Sequence, residues 1–327
     1  MKKKLLVAAV MASLTLSATS VFAAALTFGG DANIENDSRD SGFGDGLTSR
    51  VRITMDAKID PNLFFHSRLV SKQFVDGSKA QQAGYEGQAV TDGIEQMYIG
   101  YKLNNTEIKA GRQSLWAANG MLADINGING VSFNTAFDGL NVSGFTGRDK
   151  QLGKAAELSD PTIAGPISII TPATPDKKLT MSVIELNKKI GNVDLGATYM
   201  KATDETYYGF NASTKIAKNA VVFAQYAKNN DAADNNQGYW AGVKFGNAIK
   251  KGDIDYSLAY VKVDNNINPN GTYFVNDSNW IGAKGLRFKA HYAVSNNSTL
   301  TFYQDQFKTI DGNADHKRSD LEYEVRF

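Results

Sequence analysis

Cysteine is absent from the 327-residue chain, and proline is scarce, with six residues. Disulfides and thiol chemistry therefore contribute nothing, which suits a fold stabilised by closed backbone hydrogen bonding in an oxidising compartment. A charge excess of one sign is also lacking, because 35 Lys and Arg residues are matched by 34 Asp and Glu residues. Without a strong basic field, nucleic acid is not expected as a partner.

Long hydrophobic runs are lacking as well. Beyond residue 23 no segment approaches the roughly twenty apolar residues that a membrane helix requires, and the mean hydropathy is negative. Only helices and closed barrels satisfy backbone polar groups in hydrocarbon, so a membrane protein of this composition must be a barrel of alternating strands. The 14 Tyr, 17 Phe and 30 Gly residues supply material for aromatic girdles and turns.

The first 23 residues have the pattern of a secretory signal peptide. Three lysines at positions 2–4 precede an apolar stretch at 5–16, and Val21-Phe22-Ala23 fits the small-x-small cleavage motif. The alternative, an uncleaved anchor helix, is disfavoured because the apolar stretch is too short. We expect cleavage after Ala23, which divides the chain into a signal peptide at 1–23 and one barrel domain at 24–327.

The remainder reads as short alternating segments separated by turn residues, and long connections alternate with short ones. This pattern predicts an all-β fold, an antiparallel transmembrane β-barrel with short periplasmic turns and long external loops. Sixteen strands fit best, and fourteen or eighteen stay open. The predicted strands are 25–34, 47–59, 63–75, 91–103, 106–113, 130–136, 140–147, 178–188, 192–201, 206–216, 219–228, 238–246, 252–263, 285–294, 298–307 and 319–327.

Alternation also assigns the two faces of each strand. Val51, Ile53 and Met55 alternate with Arg50 and Arg52 in the second predicted strand. Charged side chains are expected to face the lumen, because Lys or Arg facing mid-bilayer lipid costs about 2 to 4 kcal/mol. A barrel of sixteen strands leaves an aqueous channel, so the expected activity is passive diffusion of small polar solutes.

The chain ends on a strictly alternating strand that finishes with an aromatic residue: Leu321, Tyr323, Val325 and Phe327 share one face. This tail resembles the C-terminal recognition strand of Gram-negative outer-membrane β-barrels. The resemblance implies export through the periplasm, outer-membrane lipid around the barrel, and handling by the barrel-assembly machinery during biogenesis.

The third long connection, residues 114–127, follows Ala110-Gly111-Arg112-Gln113, which resembles the strand ending before the inward loop of several porin families. Similarity to the sixteen-stranded general porins implies an inward-folded third loop, a homotrimer, and a ladder of basic residues opposite the loop. The positions that could line this constriction are Arg50, Arg52, Arg68, Lys72, Arg112, Trp116 and Asp124.

Because Asp124 is the only acid of that loop, the resemblance favours weak anion preference or little ion selectivity. The alternative is that these arginines only solvate the lumen and pair with Asp56, Glu95 or Glu107.

Other functions find less support. The three histidines, His66, His291 and His316, lie near neither a nucleophile elbow nor metal-ligand spacing, so no catalytic residue, metal or cofactor is expected. A substrate-specific channel for sugars or oligopeptides, with Trp116 as its aromatic contact, and an adhesin-like barrel stay open. The unusually apolar connection at 161–172 could pack on itself, fill the mouth, contact another protomer or bind a partner.

Overall fold

A computed structural model of the protein describes residues 25–39, 46–74, 90–151, 157–158, 169–171, 177–267, 282–310, 312 and 314–327. The predicted signal peptide lies outside these residues. So does the apolar connection, except for its residues 169–171. Among the described residues, no helix is long and apolar enough to span a membrane.

Eighteen strands and two short 3₁₀ segments make up the described chain. The strands are β1 (Ala25–Arg39), β2 (Gly46–Lys58), β3 (Leu63–Phe74), β4 (Val90–Leu103), β5 (Thr106–Ala117), β6 (Ala123–Phe137), β7 (Leu140–Gln151), β8 (Glu157–Leu158), β9 (Ile169–Thr171), β10 (Lys177–Ile190), β11 (Val193–Ala202), β12 (Glu205–Ala217), β13 (Ala220–Asn229), β14 (Gln237–Gly246), β15 (Ile254–Val263), β16 (Ala283–Ser295), β17 (Ser298–Thr309) and β18 (Asp315–Arg326). The 3₁₀ segments are Ala118–Gly120 and Asn265–Ile267.

Sixteen of these strands form one closed antiparallel barrel, and β8 and β9 form a separate two-stranded sheet. Each barrel strand pairs with its sequence neighbours, and β1 pairs with β18 to close the ring. The predicted all-β barrel of sixteen strands is therefore confirmed, and the counts of fourteen and eighteen are wrong. The C-terminal Phe327 completes the closure, because its N–H donates to Gly30 O at 3.0 Å and its O accepts from Gly30 N–H at 2.8 Å.

Several predicted boundaries and one predicted connection differ from the structure. β1 continues to Arg39 because residues 35–39 pair with β18. β5 and β6 extend into the stretch predicted as an irregular third loop, because their arms pair with one another. One connection predicted to be long, between β11 and β12, is a tight turn at 203–204, where Thr203 adopts a positive φ of 54°.

The two faces of the wall have opposite chemistry. On β15, Ile254, Tyr256 and Leu258 are 45% to 56% exposed on the outside, while Asp255 is 5% exposed on the inside. The same alternation holds on β16, where Leu286 lies outside and Arg287 inside. Apolar groups outside and charged groups inside are the arrangement expected for a lipid-facing barrel.

The seam between β1 and β18 brings like charges together. The register places Glu35 opposite Glu322 and Asp37 opposite Asp320, and like charges directly opposite each other are destabilising. One carboxylate oxygen of each of Glu35, Asp37 and Asp320 lies within 4.8 Å of the others. Arg318 contacts all three, at 3.4 Å, 2.8 Å and 2.5 Å respectively. The positive charge of this guanidinium therefore offsets the repulsion between the carboxylates that the register of the seam brings together.

Replacing Arg318 should destabilise the closed barrel. Its side chain is 9% exposed, and removing one partner of a buried ion pair costs about 3 to 5 kcal/mol because the remaining charge stays buried. We expect Arg318→Ala to lower the free energy of unfolding by that amount, measured by denaturant unfolding in detergent micelles.

Lys189→Ala is the matched control. Lys189 also pairs with an acid, Asp194 at 3.1 Å, but both side chains are about 60% exposed, and an exposed pair contributes at most about 1 kcal/mol. Equal unfolding midpoints for the two variants would contradict the importance of the seam pair.

Candidate functional site: an inward hairpin across a charged lumen

A hairpin leaves the barrel wall where β5 runs into β6. β5 pairs with β4 no further than Arg112, opposite Met97, and β6 pairs with β7 only from Asn129 onward. Between these points the two arms form strand pairs only with each other. The hairpin turns at Ala118–Gly120, where Ala118 and Asn119 have positive φ angles of 51° and 52°. Residues 113–128 are called the inward hairpin below.

The tip of the inward hairpin lies against the opposite inner wall. Leu122 is fully buried. A methyl group added to Gly209 of β12 would lie 2.6 Å from Ala118 Cβ, and one added to Gly238 of β14 would lie 3.2 Å from Met121 Sδ. These two glycines therefore leave room for the tip. The hairpin crosses part of the lumen, and its tip occupies space beside the inner faces of β10 to β15. The open channel is narrower at that level.

Apolar packing holds this contact. Burying one Leu or Met side chain contributes about 1.5 to 3 kcal/mol, and the hairpin buries several against the wall. The shared buried cluster consists of Leu115, Ala117, Ala118, Met121, Leu122, Ala123, Ile125, Ile128, Phe145, Met181, Val183, Met200, Ala202, Tyr207, Ala227, Val261, Val263, Ile267, Ala283 and Phe307.

One carboxylate fixes the turn of the hairpin. Glu185 of β10 accepts a hydrogen bond on Oε1 from the Ala118 N–H at 2.8 Å. The same oxygen accepts from the Thr198 hydroxyl at 2.9 Å. The Ala118 N–H belongs to a turn with no ladder partner, so Glu185 satisfies a donor that would otherwise be buried and unpaired.

Trp116 and Asp124 share the other face of the hairpin. They are directly opposite in the register, whereas their neighbours Leu115 and Ile125 point into the buried cluster. Trp116 is 47% exposed. Asp124 is partly buried, and this burial raises the pKa of its carboxyl group. The structure thus brings both predicted residues to one surface of the inward hairpin.

Three of the predicted basic residues lie together on the inner face of β2 and β3. Arg52 Nε donates to both Asp31 carboxylate oxygens, at 2.9 Å and 3.1 Å. Arg50 lies 3.5 Å from Asp31 and 3.8 Å from Glu324, and Lys72 is opposite Arg50 in the register. The two arginines are therefore neutralised by acids of β1 and β18.

The other two predicted cations lie on the β4 side of this group. Arg68 Nε is 2.6 Å from Glu95 Oε2. Arg112 sits at the base of the inward hairpin, where a methyl group added to Gly127 would lie 2.9 Å from its Nε. The sequence offers Asp56, Glu95 and Glu107 as acids that could pair with the arginines. Glu95 does pair with Arg68, whereas Asp56 pairs with His66 at 2.7 Å.

The predicted constriction positions do not include the charged residues of β16 and β17. Arg287 makes two hydrogen bonds of 2.5 Å to Asp305, and both side chains are at most 5% exposed. Lys289 lies 4.5 Å from the centre of the Tyr303 ring. Strand parity places Arg287 and Lys289 on the lumen side, but only the register shows which side chains they meet.

Two solved porin structures share this architecture. A substituted form of the Rh. blastica porin aligns with a TM-score of 0.59 and 12% identity over 93% of this chain and 100% of that porin. OmpF of Salmonella typhi, in complex with daunomycin, aligns with a TM-score of 0.57 and 12% identity over 92% of this chain and 97% of OmpF. The chain has the porin fold. No protein-family model and no curated protein sequence matches it.

His66 and His291 are the histidines whose side chains the structure describes. His66 pairs with Asp56 at 2.7 Å, and His291 pairs with Asp255 at 2.6 Å. In that part of the chain neither imidazole is hydrogen-bonded to a serine, which a Ser–His mechanism would require. The two structural neighbours named above are porins, which are channels rather than enzymes.

A side chain at Gly209 should displace the tip of the hairpin. In the Gly209→Val variant, the added carbons collide with Ala118, so the tip moves off the wall towards the open half of the lumen. We expect a lower mean single-channel conductance and larger current fluctuations in planar bilayers.

Ala212→Val is the control, because Ala212 lies on the same strand, three residues away and on the outer face. An unchanged conductance trace for Gly209→Val would show that this contact does not position the hairpin.

Proposed function

We propose that this protein is an outer-membrane porin, a water-filled channel for passive diffusion of small hydrophilic solutes and ions. The observation that carries the proposal is a closed barrel of sixteen strands with a hairpin across a charged interior. Inner side chains retain contact with solvent, since Lys244 is 40% and Arg50 23% exposed. The lumen of a sixteen-stranded barrel is too wide for its own side chains to fill, so it conducts water and ions.

The outer surface supports a membrane location. Exposed Phe, Tyr, Leu and Ile side chains recur at every second position on the outer face, and such a surface is stable in lipid rather than in water. We include in the proposal export by a signal peptide cleaved after Ala23 and recognition of the C-terminal strand by the barrel-assembly machinery. Homotrimer assembly is proposed from the resemblance to general porins.

Arginine and carboxylate side chains pair on the inner wall, and this pairing favours little ion selectivity. Arg50, Arg52 and Arg68 each lie beside a carboxylate, so three of the five cations expected to form the basic wall are compensated. Compensated pairs produce weak fields at distances beyond a Debye length of about 10 Å at 0.1 M salt. The width of the opening that remains beside the inward hairpin then decides which solutes pass.

Purified protein in planar bilayers and in liposomes tests the channel. We expect stepwise ohmic conductance and sugar-induced swelling of liposomes whose rate falls with sugar size. Liposomes that stay impermeable to ions and small sugars, although the protein has folded and inserted, would contradict the proposal.

Selectivity should shift when one partner of a compensated pair is neutralised. Asp31→Asn leaves Arg50 and Arg52 without their shared acid and should move the reversal potential in a KCl gradient towards anion preference. The double variant Arg50→Gln/Arg52→Gln leaves Asp31 without both of its arginine partners and should move the reversal potential towards cation preference.

Asp138→Asn, at the exposed turn between β6 and β7, is the control and should leave the reversal potential unchanged. If Asp31→Asn and the double variant shift the reversal potential in the same direction, these pairs do not set the local field.

A further inference from the structure

A cavity inside the barrel is bounded by the inward hairpin on one side and by the wall of β5, β6, β7 and β10 on the other. Its volume is about 180 Å³, and it is lined by both polar and aromatic side chains. Glu107 and Asn134 of its lining lie close to the short turns that follow β4 and β6. A solute that has passed the hairpin from the long-loop end would therefore meet this cavity next.

We propose that this cavity is a binding subsite for a neutral polyhydroxylated solute of monosaccharide size. The inference rests on the proposed channel function and adds to it a class of solute that the channel retains for a short time.

Trp116 supplies the apolar side of the subsite. It is 47% exposed although it lies on a hairpin whose neighbouring apolar residues are almost fully buried. Its ring packs against Gly120, where an added methyl group would lie 2.9 Å from the ring carbon Cη2. A half-exposed indole ring held in place in this way offers a flat apolar surface, which suits the C–H face of a sugar ring.

A row of polar side chains supplies the opposite side. The register places Glu107, Asn134, Ser143 and Glu185 directly beside one another across β5, β6, β7 and β10. In the described part of the chain, the side chains of Asn134 and Ser143 have no hydrogen-bond partner in the protein. An amide and a hydroxyl can each donate and accept, which matches the hydroxyl groups of a sugar.

The charges of the row favour a neutral ligand. Glu107 is compensated by Lys102 at 3.1 Å and by Lys109 at 2.8 Å. Glu185 uses Oε1 for Ala118 and Thr198, which leaves Oε2 as an acceptor towards the cavity. A carboxylate oxygen accepts strongly from hydroxyl groups. Because two lysines share Glu107, their second positive charge balances the negative charge of Glu185, and the four charged side chains sum to zero.

Block of the ion current by glucose tests the subsite. The protein purified from the outer membrane is inserted in planar bilayers, glucose is added, and each current is divided by the bulk conductivity of the same solution. We expect the normalised current to fall to a plateau, with added current noise from binding and release. In Trp116→Ala the half-saturating glucose concentration should rise about three- to tenfold, the loss expected for one aromatic contact.

Two further variants separate the subsite from general damage. Asn134→Ala/Ser143→Ala removes polar partners on the wall and should also weaken the block, even if Trp116→Ala fails to fold. Trp240→Phe, on β14 and away from the cavity lining, should keep the block of the unaltered protein. Each variant is compared with its own open-channel conductance.

The results distinguish failure of the subsite from failure of the channel. A conducting channel whose normalised current does not change with glucose would overturn the subsite and leave the porin function intact, whereas absence of any conductance would contradict the porin function itself. Block by glucosamine alone, or by gluconate alone, would also overturn the inference, because it would show a site for a charged solute.

Discussion

The hydrogen-bonding requirement of the backbone in hydrocarbon determines the rest of this structure. Lipid offers no partner for a free N–H or C=O, so the outermost strands cannot remain as open edges. β1 and β18 therefore pair along their length, and Phe327 continues the pairing to Gly30. Because the first and last strands must meet, their side chains meet in a fixed register, including carboxylates opposite carboxylates. Arg318 is needed where it lies because the seam cannot be shifted to separate them.

Closure with sixteen strands leaves a space that the wall alone does not fill, and the inward hairpin occupies part of it. The hairpin can do so because its two faces differ. One face carries Leu115, Ala117 and Ile125 and packs against an apolar inner wall, where Gly209 and Gly238 make room for the tip. The other face carries Trp116 and Asp124 and stays in contact with the lumen. The channel is consequently asymmetric, with an apolar contact on one side and charged strands on the other.

Most of the wall could be predicted from the sequence, because a strand between lipid and water alternates with period two and ends at recognisable turns. The order of the strands followed from the same pattern. The extension of β1 to Arg39 could not be predicted, since it depends on pairing with a strand about 280 residues away. Residues 114–127 contain small and polar residues that are typical of loops, yet the two arms pair with each other. Their local composition carries no signal for that pairing.

The residue types at the candidate site could be predicted from the sequence, but the partner of each side chain could not. Parity assigns Arg50 and Arg52 to the charged face of their strand, but it cannot show that Asp31, on a different strand, pairs with both of them. Glu185 had no signal at all, because its role comes from an unpaired N–H in the turn of the inward hairpin. Contacts between distant strands depend on register and on the path of the hairpin, which are properties of the closed barrel.

Compensation of the inner charges changes what can discriminate between solutes. An uncompensated basic wall would select by the sign of the charge over the whole lumen, whereas pairs such as Arg52 with Asp31 and Arg287 with Asp305 act over short distances. Discrimination then depends on contacts that a solute makes within a few ångströms of the wall. Beside the inward hairpin, the half-exposed Trp116 ring and the side chains of Asn134 and Ser143 offer such contacts to an uncharged molecule. A channel with little preference among ions can therefore retain a particular neutral solute, because the two properties depend on different parts of the same lumen.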